Sequence, residues 1–215
     1  MVRLDILSDP ICPWCYIGKA NLDRALARNP GHPFAIEWHP FMLNPDMPPE
    51  GVTRRSYLEA RMGGPEALAR ADAMLEERAA AAGVTIHRFD GQKIPNTLDA
   101  HRLIHWAGIE GRQTAAVSAL FRANFVEGRD IGDPEVLADI AEGIGMDRAA
   151  VARLLGSDAD VQAIRDRDAH SRRMGVSAVP TFIVGNRHAV QGAQPPELWD
   201  RVIAELAEQA GGSGA

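Results

Sequence analysis

The sequence has few cysteines, no excess of positive charge and no long apolar run. None of its apolar stretches approaches the roughly 20 residues that a membrane-spanning helix needs. The first residues, MVRLDILSDP, carry an acid at position 5 and a proline at position 10. A secretory signal would need a longer apolar stretch and a small-residue cleavage site. We therefore expect a cytoplasmic protein with no membrane partner.

The sequence has fewer basic residues than acidic ones. The 215 residues include 23 Lys and Arg against 29 Asp and Glu, a formal net charge of −6. Nucleic-acid binding usually requires a basic face, so a nucleic acid is not expected as a partner. The hydrophobic fraction of 46% is ordinary for a globular protein, and a chain of this length can build a core without disulfide bonds.

The only two cysteines, Cys12 and Cys15, lie three positions apart. A structural disulfide is uncommon in the cytosol, and one across so short a loop would constrain the unfolded chain little. A zinc site would need four ligands, and neither His32 nor His39 has the usual spacing for a second pair. No metal site is expected, and the pair favours thiol–disulfide chemistry.

The hydrophobic pattern predicts strands and helices in the order β-α-β, a long helical segment, then β-β-α. The first half is a strand, the CPWC motif with a helix from Pro13, and a second strand. The second half is a hairpin and an amphipathic helix. The predicted ranges are strands Arg3–Ser8 and Ala35–Phe41, helical segments between Arg54 and Arg173, strands Thr181–Val184 and His188–Gln191, and helix Glu197–Gln209. We place the segment boundaries at 1–48, 49–174 and 175–210, followed by a flexible tail over 211–215.

The position of the CPWC motif, between a strand and a helix, suits redox catalysis. Cys12 at the start of the helix would face unpaired backbone N–H groups and the positive end of the helix dipole, which favour a thiolate. Cys15 follows about one turn later, should be more buried and would resolve a mixed disulfide. Pro13 pre-sets the first helical turn without sacrificing a hydrogen bond.

Five segments carry a resemblance to a known family. SDPICPWCYIGK, PFMLNPDMPPEG, PNTLDAHRLIHWA, LFRANFVEGRDIGD and GVSAVPTFIVGNRHAVQGAQ resemble the DsbA family, specifically its FrnE-like cytoplasmic branch. The resemblance implies an α/β thioredoxin fold with a large all-helical insertion between its βαβ and ββα halves. It also implies dithiol–disulfide exchange, with Cys12 as the nucleophile, Cys15 as the resolving thiol and Pro180 as a cis-proline facing them.

The sequence differs from the periplasmic oxidases of this family at Trp14, where those proteins carry His. A positive His stabilises the thiolate and makes the couple strongly oxidising. Trp14 supplies no such charge. Our hypothesis is that Cys12 is less acidic, and the couple less oxidising, than in those relatives.

Four further residues are candidates around the cysteines. Val179 would pair its backbone with an extended substrate, with Thr181 beside it, and Asn44 would border the cleft. Asp5 has two interpretations that the sequence leaves open. It is either a solvated acid at the strand end or a buried acid that accepts a proton from Cys15.

The expected partners are disulfide- or thiol-containing polypeptides or glutathione. No bound cofactor is expected, and glutathione stays open as a co-substrate. An alternative function is a glutathione-dependent isomerase or transferase, similar to hydroxychromene-carboxylate isomerases and kappa-class transferases. Those proteins generally carry Ser in place of the first cysteine, so the two cysteines argue against this alternative. The sequence leaves a monomer and a homodimer equally open.

Overall fold

The computed structural model describes residues 1–212. In chain order its elements are β1 (Val2–Ser8), α1 (Pro13–Arg28), β2 (Phe34–Pro40), β3 (Val52–Thr53), α2 (Arg54–Met62), α3 (Pro65–Ala82), β4 (Lys93–Ile94), α4 (Leu98–Ile109), α5 (Gln113–Phe125), α6 (Pro134–Gly143), α7 (Arg148–Leu155), α8 (Val161–Arg173), β5 (Thr181–Val184), β6 (His188–Gln191) and α9 (Pro196–Gly212).

A four-stranded sheet with the order β2-β1-β5-β6 forms the centre of the fold. β1 pairs parallel with β2 across the α1 crossover, and antiparallel with β5. β5 and β6 form the predicted hairpin. This arrangement confirms the predicted fold class, because the βαβ and ββα halves share one sheet although more than 130 residues separate β2 from β5.

The insertion between β2 and β5 contains helices α2 to α8 and one feature that the sequence pattern did not predict. β3 and β4 form a two-residue antiparallel ladder in which Val52 lies opposite Ile94 and Thr53 opposite Lys93. The insertion is therefore helical except for this ladder. The segment boundaries at 48 and 174 stay a prediction.

Side chains alternate along β1 and divide the buried residues between two faces of the sheet. Leu4 and Ile6 belong to the main core, which continues through α1, α9 and the insertion helices. Leu7 lies on the other face and packs with Phe41 and Val176. A residue's position in this alternation therefore decides whether its side chain reaches the cysteines of α1.

The insertion also closes one edge of the sheet. β2 is an edge strand, and the Gln113 side chain pairs with the backbone of Trp38 like a short strand. The Trp38 N–H donates to Gln113 Oε1 at 2.9 Å, and Gln113 Nε2 donates to the Trp38 carbonyl at 3.0 Å. An unpaired edge invites association with other chains, so this contact both protects β2 and fixes α5 beside it.

Local interactions fix the start of α6. Asp133 caps α6 by accepting a hydrogen bond from the Glu135 N–H, with Pro134 at the first helical position. α9 continues to Gly212, so the part of the predicted tail at 213–215 lies outside the described residues. Among residues 1–212, no helix combines the length and the apolar character needed to cross a bilayer.

Candidate active site

The CPWC motif lies at the N-terminus of α1, as predicted. Cys12 is the N-cap residue, in an extended conformation with φ −83° and ψ 113°, and Pro13 occupies the first helical turn. The Cys12 carbonyl accepts the N–H groups of Cys15 and Tyr16 at 3.1 and 3.2 Å. The motif is therefore part of the helix itself, which holds the two cysteines one turn apart.

The two cysteines are both free thiols, but their surroundings differ. Both are buried, with 4% of Cys12 and 1% of Cys15 exposed, but Cys12 lines an open groove and Cys15 lies behind it. Burial raises the pKa of the Cys15 thiol well above its usual value, and the neighbouring Cys12 adds to this. The Ser8 hydroxyl and the backbone N–H of Asp9 act in the opposite direction. An incoming partner therefore meets Cys12 first.

The loop before β5 lies directly against the cysteines. The Val179–Pro180 peptide bond is cis, as the resemblance implied, and Cys12 Sγ lies 3.7 Å from the Val179 carbonyl oxygen. Gly18 makes this approach feasible, because a Cβ at that position would lie 3.0 Å from Pro180 Cγ. The Thr181 hydroxyl is buried and donates to the Ala178 carbonyl at 2.7 Å, so it shapes the loop.

A groove of about 500 Å³ opens beside Cys12, and we call it the active-site groove. One wall is formed by the start of α1 and the loop before β5, and the other by α2, α3 and β4. Asn44 lines it as predicted, and its Oδ1 accepts the hydroxyl of Tyr57. The residues that line it include Ile11, Cys12, Trp14, Leu43, Asn44, Arg54, Tyr57, Arg61, Met62, Met74, Arg88, Lys93, Phe125 and Val179.

Asp5 does not lie near the cysteines, so its proposed role as proton acceptor for Cys15 needs correction. Its carboxylate accepts from Arg3 Nε at 2.6 Å and lies 2.6 Å from His39 Nε2. The alternation along β1 places Asp5 on the face opposite Leu4 and Ile6, whose cluster contains Cys15. Nor is Asp5 a solvated acid, because it is only 6% exposed.

Lys19, four positions after Cys15, is a buried cation on α1. It is 7% exposed, and its ammonium group pairs with Asp23 Oδ2 at 2.6 Å. Its charge is therefore taken up within α1 by the residue four positions later, a spacing at which helical side chains meet.

Asp9 is the ionisable residue that does lie next to the motif, and the sequence pattern did not predict it. It is fully buried. Its carboxylate accepts the N–H groups of Ile11 at 3.3 Å and Leu43 at 2.6 Å, and its carbonyl accepts the Cys12 N–H at 2.9 Å. Asp9 thus connects the loop before Cys12 with the loop that forms one side of the groove.

The side chain of His101, on α4, approaches the Asp9 carboxylate. Its Nε2 lies 3.8 Å from Asp9 Oδ1 and has no hydrogen-bond partner among the described residues. Burial raises the pKa of Asp9 to about 7, with the charge of Asp168 adding to the effect, and burial lowers the pKa of His101 to about 3 with help from Arg167. Both groups are therefore neutral over part of the acid range.

These two shifts predict opposite pH dependences of stability. Between pH 3.8 and 7 the folded state keeps a proton on Asp9 that the unfolded chain has released, so stability falls as pH rises. Between pH 3 and 6.5 the unfolded chain holds a proton that folded His101 lacks, so stability rises with pH. Because each group contributes about 1.4 kcal/mol per pH unit, the two slopes cancel between pH 4 and 6.5.

Single variants should separate the two slopes. The slope of the unfolding free energy against pH should be lower in His101→Gln than in the unmodified protein, by about 1.4 kcal/mol per pH unit. In Asp9→Asn the same slope should be higher by about 1.4 kcal/mol per pH unit. Urea denaturation at pH 4.5, 5.5 and 6.5 measures this. His170→Gln, an exposed position on α8, is the control. If the unfolding free energies of the unmodified protein and all three variants depend on pH in the same way, the two assigned pKa shifts are contradicted.

Comparison with known proteins agrees with this geometry. The model of the DSBA-like thioredoxin domain matches residues 3–204. A probable DsbA oxidoreductase from Streptomyces coelicolor, SCO1869, is 31% identical, with a TM-score of 0.84 over 95% of this chain and 89% of the other. 2-Hydroxychromene-2-carboxylate isomerase is 19% identical, with a TM-score of 0.74 over 99% of this chain and 100% of the other.

A third structure, the cytosolic disulfide reductase DsbM from Pseudomonas aeruginosa with GSH, is 20% identical. Its TM-score is 0.66 over 96% of this chain and 99% of the other. At this level of identity the second and third structures show the shared fold. The family match spans nearly the whole chain, including the CPWC motif and the cis-proline loop. The chain therefore belongs to the family of DSBA-like thioredoxin domains.

Proposed function

We propose that the protein is a dithiol–disulfide oxidoreductase that cycles Cys12 and Cys15 between dithiol and disulfide. The observation that carries the proposal is the asymmetry of the pair. Both thiols are buried, but Cys12 lines the groove, 3.7 Å from the Val179 carbonyl oxygen, and Cys15 lies one turn behind it. A nucleophile in the wall of an open groove, with a second thiol behind it, is the arrangement that disulfide exchange requires.

In the half-reaction that reduces a partner, the Cys12 thiolate attacks one sulfur of a partner disulfide and displaces the other sulfur as a thiolate. The Cys15 thiol then loses its proton and attacks Cys12 Sγ, which releases the partner's second sulfur. The partner gains two electrons, and the protein is left with a Cys12–Cys15 disulfide. Pro180 and Val179 would hold the partner's chain beside the reacting sulfurs, and Pro13 and Trp14 would keep the motif in its helical turn.

The partners we propose are disulfide- or thiol-containing polypeptides or glutathione, in the cytoplasm. DsbM supports both parts of this proposal, because that protein is described as cytosolic and its structure contains GSH. Within the family we assign the chain to the FrnE-like branch. Trp14 in place of a histidine supports a couple that is less oxidising than that of the periplasmic oxidases.

Redox titration tests this function. The protein is equilibrated in glutathione buffers of graded potential, and Trp fluorescence is followed, since Trp14 lies between the two cysteines. We expect a single two-electron transition at a potential more negative than about −120 mV, the value for DsbA. The Cys15→Ser variant should show no such transition.

The opposite result would favour the isomerase-like alternative. If the unmodified protein shows no transition but binds glutathione tightly, dithiol cycling is excluded. A glutathione-dependent isomerase or transferase would then be the better assignment, in agreement with the likeness in fold to 2-hydroxychromene-2-carboxylate isomerase.

A further inference from the structure

The charge of the active-site groove is opposite in sign to that of the chain. Acids outnumber bases 29 to 23 in the whole sequence. Among the groove-lining residues, four cationic side chains accompany a single acid, Asp72. The four cations are Arg54, Arg61, Arg88 and Lys93. A positive groove on a negative protein concentrates anionic partners and repels cationic ones.

The internal ion pairs leave part of this positive charge uncompensated. Arg54 and Arg88 share the one carboxylate of Asp72, at 2.7 and 3.0 Å. Lys93 pairs with Asp130 at 3.4 Å. Arg61 is exposed, and its guanidinium donates a hydrogen bond to the neutral hydroxyl of Tyr57, at 3.2 Å. Within residues 1–212, no carboxylate lies within ion-pair distance of Arg61.

The four cations lie across the groove from Cys12, where a bound partner could contact them. They all lie on the wall formed by α2, by β4 and by the segment between α3 and β4, whereas Cys12 lies on the facing wall with Val179. A partner whose sulfur reacts with Cys12 would therefore extend its neighbouring groups towards the cations. Acidic groups close to the reacting cysteine would meet them.

The edge of the groove is apolar and suits a polypeptide. Leu43, Met62 and Met74 line the groove and are 39%, 43% and 48% exposed. Large apolar side chains grouped at a site usually mark a surface that a partner covers. Methionine side chains are flexible and adapt to varied partners. A small thiol could reach Cys12 but would leave most of this edge in water.

From these features we propose that the active-site groove selects polypeptide segments with acidic residues flanking the reacting cysteine. The proposal rests on the proposed function and names its substrate class. In the reducing direction, Cys12 and Cys15 would be oxidised to a disulfide while the peptide's mixed disulfide is reduced to the peptide thiol and the small thiol attached to it.

Matched peptides provide the test. Three nine-residue peptides each carry a central cysteine as a mixed disulfide with 2-mercaptoethanol, flanked by Glu, Gln or Lys. The reduced protein is mixed with each, and the second-order rate constant is followed through released peptide thiol. We expect the Glu peptide to react about tenfold faster than the Lys peptide in 20 mM salt. In 1 M salt the two rates should converge.

Reversing the charge of single arginines tests whether the preference for the Glu peptide arises in the groove. Arg61→Glu should remove most of the preference for the Glu peptide. Arg70→Glu makes the same change at an exposed α3 position outside the groove lining, where Arg70 faces Glu66 at 4.0 Å, and should keep the preference. Equal rates for the three peptides, or equal effects of the two variants, would overturn the proposal.

Two further substrates separate the possible failures. Bis(2-hydroxyethyl) disulfide is uncharged and tests exchange alone. If the unmodified protein does not reduce it or any peptide, the proposed function fails. If it reduces that disulfide but does not distinguish the peptides, only the charge selection fails. A tenfold preference for glutathione disulfide over the Glu peptide would assign the groove to a small tripeptide and overturn the polypeptide proposal.

Discussion

Replacing Cys12 with serine should abolish disulfide exchange, whereas replacing Cys15 with serine should stop the reaction at a mixed disulfide. A serine hydroxyl at position 12 cannot attack a disulfide, and the buried Cys15 does not line the groove where a partner binds. We expect turnover of a peptide disulfide to fall at least ~1000-fold in Cys12→Ser. Cys15→Ser keeps the attacking thiolate but lacks the thiol that releases the partner.

Intact-protein mass spectrometry distinguishes the two variants. Cys15→Ser should gain the mass of one partner thiol, which dithiothreitol removes, and Cys12→Ser should gain none. Circular dichroism checks that both are folded. The result also bears on the isomerase-like alternative, whose relatives generally carry Ser at the first position. A Cys12→Ser variant that keeps more than a tenth of the turnover would contradict the nucleophile assignment.

The parts of this site that the sequence predicted are those encoded over a few neighbouring residues. The strand before CPWC, the helix from Pro13 and the hairpin after Pro180 each follow from short patterns of apolar residues and turn signals. The juxtaposition of Pro180 with Cys12 spans 168 positions, and only the resemblance to a family implied it.

The parts that the sequence did not predict depend on contacts between distant segments. Asp5 lies within β1 and Asp9 directly follows it, and nothing local shows which of the two acids lies next to the cysteine motif. The alternation along β1 directs Asp5 to His39, and the turn after Ser8 brings Asp9 towards His101, 92 positions later. The ladder of β3 and β4 has only two residues in each strand, too few for a periodic pattern.

The active site depends on the insertion for its shape, so stability of the insertion should matter to function. α2, α3 and β4 form one wall of the groove, and α4 places His101 beneath Asp9. Tyr16, in the turn after Cys15, stacks on Phe121 and Phe125 of α5 with centroids 5.3 and 5.5 Å apart. Loosening of the insertion should therefore disturb the cysteine motif.

The residue that most strongly fixes the insertion is Arg102 of α4, which is 2% exposed. Its guanidinium donates to the carbonyl oxygens of Leu154 at 2.6 Å, Ser157 at 2.7 Å and Ala159 at 2.8 Å. It also bonds to Asp99 at 2.7 Å. A cation at the end of α7 satisfies carbonyls that have no partner within the helix and opposes the negative end of its dipole.

Arg102→Met should lower the unfolding free energy by about 3–5 kcal/mol, because it keeps the apolar stem but leaves buried carbonyls and Asp99 without their donor. A domain has only about 5–15 kcal/mol of stability, so the loss is a large fraction of the total. The unfolding free energy of Arg102→Lys should lie between those of the unmodified protein and Arg102→Met, since an ammonium group keeps the charge but cannot donate in a planar fork. Urea denaturation followed by circular dichroism measures each value.

Arg153→Met on α7 is the matched control, because Arg153 is exposed and the same change should cost less than about 0.5 kcal/mol there. If the unfolding free energy of Arg102→Met lies within 1 kcal/mol of that of the unmodified protein, the buried guanidinium is not a main support of the insertion.

If Arg102→Met loses the expected unfolding free energy, Cys15 in this variant should also react faster with a thiol-labelling reagent, at urea concentrations below the unfolding transition. Cys15 belongs to the same buried cluster as Leu103 of α4 and Phe121 of α5, so a loosened α4 should expose its thiol.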